Sequence, residues 1–177
     1  MKKVIYILLF VLAVTLTSAA QKADKKKSQV KTSVPAETIE REKFDPLRNP
    51  SDDLAAAVTK AQVENKRIIL DVGGEWCGWC RLMDNYLIKN VELGKLRDDN
   101  YIWVKVNMSD ENENKEFLSK YPEINGYPHL FVLEKDGTLI KSKETSELED
   151  GKSYNLQKFT GFLKEYAPVK NSDVNIK

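Results

Sequence analysis

Hydrophobic positions fall into three regimes along the chain. After the basic Met1-Lys2-Lys3, residues Val4 to Leu16 read VIYILLFVLAVTL, and Thr17-Ser18-Ala19-Ala20 supplies small residues before Gln21. A basic head, an apolar middle and a small-residue end are the three parts of a secretory signal. Residues 1–20 are therefore expected to be a signal peptide, cleaved after Ala20 or, as second choice, after Ala19. The apolar run is shorter than the roughly 20 residues that span a bilayer, and an uncleaved anchor is the alternative. No cysteine follows the run, which argues against a lipid anchor. The second regime opens at Gln21 with QKADKKKSQVKTSVP, which holds five lysines and no aromatic residue. Such a stretch has too little to bury to offset its ordering entropy, so residues 21–43 are expected to be a flexible basic linker.

From Phe44 the pattern turns globular, and residues 44–168 are expected to form one domain, with 169–177 as a tail. Leu54, Ala57, Val58 and Ala61 recur at helical spacing, with Ser51 or Asp52 placed to cap. Arg67 to Val72 (RIILDV) is a short apolar run of the kind a buried strand shows, ended by Gly73-Gly74. A helix is expected from Cys77 to about Lys89, a further helical turn over Val91–Leu96, a strand over Tyr101–Asn107 and a helix over Asn112–Tyr121. A strand over His129–Glu134 turns at Asp136-Gly137 into a returning strand over Thr138–Lys143. Leu156, Phe159, Phe162, Leu163 and Tyr166 mark a last helix. Strands alternating with helices imply an α/β fold: a central mixed sheet flanked by helices on both faces, with an antiparallel edge from the hairpin.

Composition changes this picture little. The net charge of +1 gives no global field to attract nucleic acid. The two cysteines change it most. An exported chain with two cysteines would ordinarily carry one structural staple, but Cys77 and Cys80 are separated only by Gly78-Trp79. A bridge across so short a loop removes little entropy from the unfolded chain. The pair sits between a strand and the helix it opens, a redox arrangement. Unpaired N–H groups and the helix dipole there favour a Cys77 thiolate, and Cys80 lies one turn away, able to attack a mixed disulfide at Cys77. A passive disulfide and half of a zinc site are the alternatives. Zinc normally needs four ligands, and only His129 and carboxylates remain to complete a set, so no metal is expected.

The run Asp71-Val72-Gly73-Gly74-Glu75-Trp76-Cys77-Gly78-Trp79-Cys80 resembles the active-site line of the thioredoxin superfamily. It is most similar to exported bacterial thioredoxin-like (thiol:disulfide interchange) proteins, whose motif continues with Met and an acid, here Met83-Asp84. The resemblance covers about Asp53 to Tyr166 and implies a thioredoxin-like fold. It places Asp71 as the buried acid before the motif, Lys105 as the buried lysine of the central strand, and Gly126-Tyr127-Pro128 as the cis-proline loop facing the cysteines. Lys135-Asp136-Gly137 matches the following hairpin turn. Two residues depart from typical thioredoxins: Gly-Trp replaces Gly-Pro between the cysteines, and His129 stands where threonine is common. The bland alternatives are Asp71 as an edge carboxylate, Lys105 as a solvated strand residue, His129 as a core histidine, and Trp76 and Trp79 as simple packing.

The resemblance implies a thiol–disulfide oxidoreductase of the periplasm or cell exterior, with its direction open. Cys77 attacks, Cys80 resolves and Asp71 relays the Cys80 proton. Trp76, Trp79, Tyr127 and Pro128 are the candidates to meet the client, and Lys105 and His129 are candidates for tuning the pair. Its partners are disulfide-bearing client proteins, and a reducing role adds a membrane electron donor. No cofactor is expected beyond the Cys77–Cys80 disulfide. A client-binding, chaperone-like module with weak turnover is the alternative, and metal delivery a weaker one.

Overall fold

The computed structural model describes residues 40–169. The signal peptide, most of the linker and the last eight residues lie outside them. Helix α1 (Pro50–Glu64) starts one residue before the expected caps: Asn49 accepts from the Ser51 amide at 2.9 Å, and Pro50 holds the first helical position. Strand β1 (Arg67–Gly73) leads to α2 (Gly78–Lys89) and α3 (Val91–Asn100), then to β2 (Tyr101–Asn107). A single helical turn, α4 (Lys115–Leu118), precedes β3 (His129–Leu133) and β4 (Leu139–Glu144). A 3-10 turn (Thr145–Leu148) and a short hairpin of β5 (Glu149–Asp150) and β6 (Ser153–Tyr154) come before α5 (Leu156–Glu165).

The main sheet has the order β2-β1-β3-β4. β1 runs parallel to β2 and antiparallel to β3, and β3 is antiparallel to β4. β1 is therefore central, which is why its sequence is a near-continuous apolar run rather than an alternation. Alternate residues serve two cores. Ile69, Leu130 and Val132 pack with Met83, Leu87, Phe159 and Leu163 from α2 and α5. Ile68, Leu70, Val72, Phe131 and Leu133 pack with Ala57, Ala61 and Phe117 from α1 and α4. The mixed sheet covered on both faces is as the sequence predicts.

Two expectations are corrected. The helix expected over Asn112–Tyr121 shrinks to α4, because asparagines take over the local hydrogen bonds. Asn107 Nδ2 donates to the Asn112 carbonyl at 2.9 Å, Asn114 Nδ2 donates to the Asn107 carbonyl at 2.7 Å, and Asn114 itself is left-handed (φ 47°). The turn expected at Val91 extends instead to the ten-residue α3.

Phe159 is fully buried and Leu47 is 92% exposed. Phe159→Ala should cost about 3–5 kcal/mol in urea unfolding, whereas Leu47→Ala should stay within about 0.5 kcal/mol. Equal costs would show that the core is not where these contacts put it.

Candidate functional site

Cys77 and Cys80 form a disulfide at the start of α2. Cys77 is the residue that caps the helix, and its sulfur accepts from the Cys80 amide at 3.0 Å. Both are buried, Cys77 at 4% exposure and Cys80 at 0%. Two glycines let the motif close over β1. A Cβ on Gly73 would stand 2.6 Å from Cys80 Sγ, and one on Gly74 would collide with the Trp76 indole. Gly73 remains inside the strand, so its role is close approach rather than breakage.

Beneath the motif lies a chain of alternating charges. Parallel pairing sets Asp71 beside Lys105. Lys105 Nζ donates to Asp71 Oδ2 at 2.9 Å and to Asp84 Oδ1 at 2.7 Å, and the three side chains are 0–7% exposed. Asp84 Oδ2 accepts from Arg41 at 3.1 Å, and Arg41 also grips Glu75 through 2.8 and 2.5 Å contacts. Trp103 Nε1 adds a 3.1 Å bond to Asp71 Oδ2, while Asp71 Oδ1 is buried without a partner. Desolvation pushes the Asp84 carboxyl up, with Lys105 pulling against it. Burial alone would lower Lys105, but Asp71 and Asp84 outweigh it and raise its pKa. The Arg41 guanidinium holds Glu75 down at about 2.

The expected site residues take different places. The Tyr127–Pro128 bond is cis, and Tyr127 and Trp79 pack against the cluster of Phe44, Cys77 and Cys80. Trp76 is 58% exposed and sets its ring edge-on to Tyr127 at 5.6 Å, donating to the Met108 carbonyl at 2.6 Å. Trp79 is half-buried and leans on Tyr154 at 5.6 Å, so part of it serves the core. An open groove of about 390 Å³ beside Tyr127 is lined by Met108, Leu118, Tyr121, Pro122 and Ile124, with Glu113 and Glu123 at its rim. His129 faces the other side of the sheet. It is 1% exposed, its Nε2 is bonded to Ser142 Oγ at 2.8 Å, and its ring lies 4.7 Å from Phe131 on the α1 side of the sheet. Burial lowers its pKa against the pull of Glu144, so the neutral imidazole is favoured.

Arg41, Phe44 and Glu75 are not among the site residues that the sequence singles out, and Arg41 falls within the expected linker. Phe44 is 3% exposed, and its ring lies 4.1 Å from Lys105 Nζ. The sole signal was its position as the first aromatic after the polar stretch.

Residues 49–135 match a family model described as thioredoxin-like. The chain carries a thioredoxin-like domain. Spermatogenesis-associated protein 20 of Mus musculus is 41% identical over 54 residues, 30% of this chain and 7% of that protein. Thiol:disulfide interchange protein DsbD of Colwellia psychrerythraea is 24% identical over 91 residues, 50% of this chain and 15% of that one. The matched segments are thus small parts of both relatives. The crystal structure of a disulphide isomerase from Xylella fastidiosa Temecula1 superposes on the thioredoxin-like domain with a TM-score of 0.60 at 21% identity, covering 69% of this chain and 94% of that one. That likeness supports the fold.

Glu75 tests the charge chain. Its pKa falls from an ordinary 4.5 to about 2 on folding, so its contribution is present above pH 4.5 and lost as pH drops towards 2. Glu75→Gln should lower the urea midpoint at pH 7, and the gap from wild type should close through that window. A gap independent of pH would remove the Arg41 pairing as its cause.

Proposed function

We propose that this protein is an exported thiol–disulfide oxidoreductase that exchanges disulfides with client proteins, without a bound cofactor. The observation that carries the reading is the Cys77–Cys80 pair capping α2 above a buried Asp71–Lys105 pair and beside the cis Tyr127–Pro128 loop. When reduced, Cys77 attacks one sulfur of a client disulfide, forms the mixed disulfide and expels the other client sulfur as thiolate. Cys80 then attacks Cys77 Sγ, forming the Cys77–Cys80 bond and releasing the second client thiolate. Its proton passes to Asp71, whose Oδ1 has no other partner, and from there to a departing thiolate. The client gains the two electrons that the domain loses, and the reverse sequence oxidises a client dithiol.

An extended client strand would lie along Trp76, Tyr127 and Pro128, with an apolar side chain in the groove at Met108 and Ile124. The signal-like residues 1–20 support export to the periplasm or the cell exterior. That space is oxidising, so a reducing role would draw on a membrane electron donor.

Cys80→Ser should accumulate covalent client complexes on non-reducing gels, collapsing with reductant, while Cys77→Ser gives few. Wild-type resolution is intramolecular and so enjoys a high effective concentration. Equal trapping by both variants would overturn the division of roles. Failure of wild type to accelerate insulin precipitation with dithiothreitol would favour the chaperone-like alternative. Asp71→Asn should slow resolution more than attack in single-turnover kinetics. An unchanged pH–rate profile would remove Asp71 from the mechanism.

A further inference from the structure

The segment before α1 is tied to the redox centre through Arg41 and Phe44. Arg41 bonds to Glu75 and Asp84, the Phe44 amide donates to Glu75 Oε1 at 2.9 Å, and the Pro46 carbonyl accepts from Asn112 Nδ2 at 2.8 Å. Phe44 belongs to one buried cluster with the two cysteines. Its Cζ would lie 3.2 Å from a Cβ on Gly73, the same point that Cys80 Sγ would meet at 2.6 Å. The ring therefore stands at the Cys80 end of the disulfide and over the Lys105 ammonium. Trp76 and Tyr127 sit on each other at the exposed side of the motif.

We propose that residues 41–46 form a strap that seals Cys80, with Phe44 as the seal and Arg41 as the latch, so that external sulfurs reach the pair only at Cys77. The inference rests on the oxidoreductase reading for its purpose and on the contacts above for its geometry. Phe44 is a specificity-determining residue here, because it meets the reacting sulfurs. Arg41 is a positioning residue that acts through Glu75 and Asp84. The latch is charged and two-sided: it joins the residue just before the motif to the helix that carries it. Losing Arg41 would leave the buried Asp84 facing Lys105 alone, which already serves Asp71. Losing the Phe44 ring would open a path to a sulfur that is otherwise fully enclosed.

The test labels the fully reduced protein with limiting iodoacetamide and reads each cysteine by peptide mapping. Wild type should label at Cys77. Phe44→Ala should raise the Cys80 rate relative to Cys77 by at least about tenfold, as a local opening would. Phe44→Leu should keep the wild-type ratio within about twofold, since most of the apolar volume remains. Arg41→Met should shift the ratio in the same direction as Phe44→Ala, and it carries the test should that variant not fold. An unchanged ratio in Phe44→Ala, whether both rates rise together or neither moves, would overturn the strap. Labelling needs no turnover, so a protein inactive towards insulin would still report on the seal.

Discussion

One ammonium group shared between two buried carboxylates organises this molecule. Lys105 sits on β2, Asp71 on β1 and Asp84 on α2, and all three side chains are nearly or wholly inaccessible. Removing ions from water costs several kcal/mol each unless geometry and partners compensate. The compensation here recruits neighbours. Two carboxylates exceed one lysine, so Asp84 takes a second cation, Arg41, and Arg41 takes a further carboxylate, Glu75. The chain of charges ties the sheet register, the tilt of α2 and the segment before α1 to one another. A shift in any one of them leaves a buried charge unpaired.

What the sequence showed and what it hid follow from the range of each signal. Strands β1 and β2 were legible because each is a compact apolar run of seven residues. The cysteine motif was legible because its spacing is local, and the cis Tyr127–Pro128 loop was legible through the family resemblance. The 3-10 turn and the β5–β6 hairpin were not, since residues 145–154 (TSELEDGKSY) carry no apolar period. Only Thr145, Leu148 and Tyr154 there are buried. Arg41 was invisible for a different reason: its partners lie 34 and 43 residues away, and nothing in a polar stretch announces them. His129 illustrates the period-2 rule of a strand. It shares its face with Phe131 and Leu133, the face away from α2, so adjacency to Pro128 in sequence does not aim its ring at the helix carrying the cysteines.

Trp76 and Trp79, three residues apart in one motif, show how helix geometry divides roles. Trp76 precedes the cap and lies outside the helix, so its ring can spread over Gly74 and Tyr127. Trp79 is inside the first turn, where side-chain direction is set by the helix, and that direction carries it against Tyr154. A residue type enriched at binding surfaces is therefore spent half on packing.

The two sulfurs stand in opposite electrostatic settings, and this asymmetry is the physical core of the proposed chemistry. Cys77 occupies the cap, where free amides and the helix dipole favour negative charge, and it already accepts from the Cys80 amide. Cys80 is enclosed one turn further in, against Gly73 of the strand that carries Asp71. A second negative charge there would be desolvated and would face a region holding more carboxylates than ammonium groups. In the proposed mechanism the cap would favour negative charge at the Cys77 sulfur, and enclosure would disfavour it at Cys80. A resolving thiol that stays protonated until a neighbouring base takes its proton does not compete for the client at the first step. In the proposed mechanism the unpartnered oxygen of Asp71 would be that base.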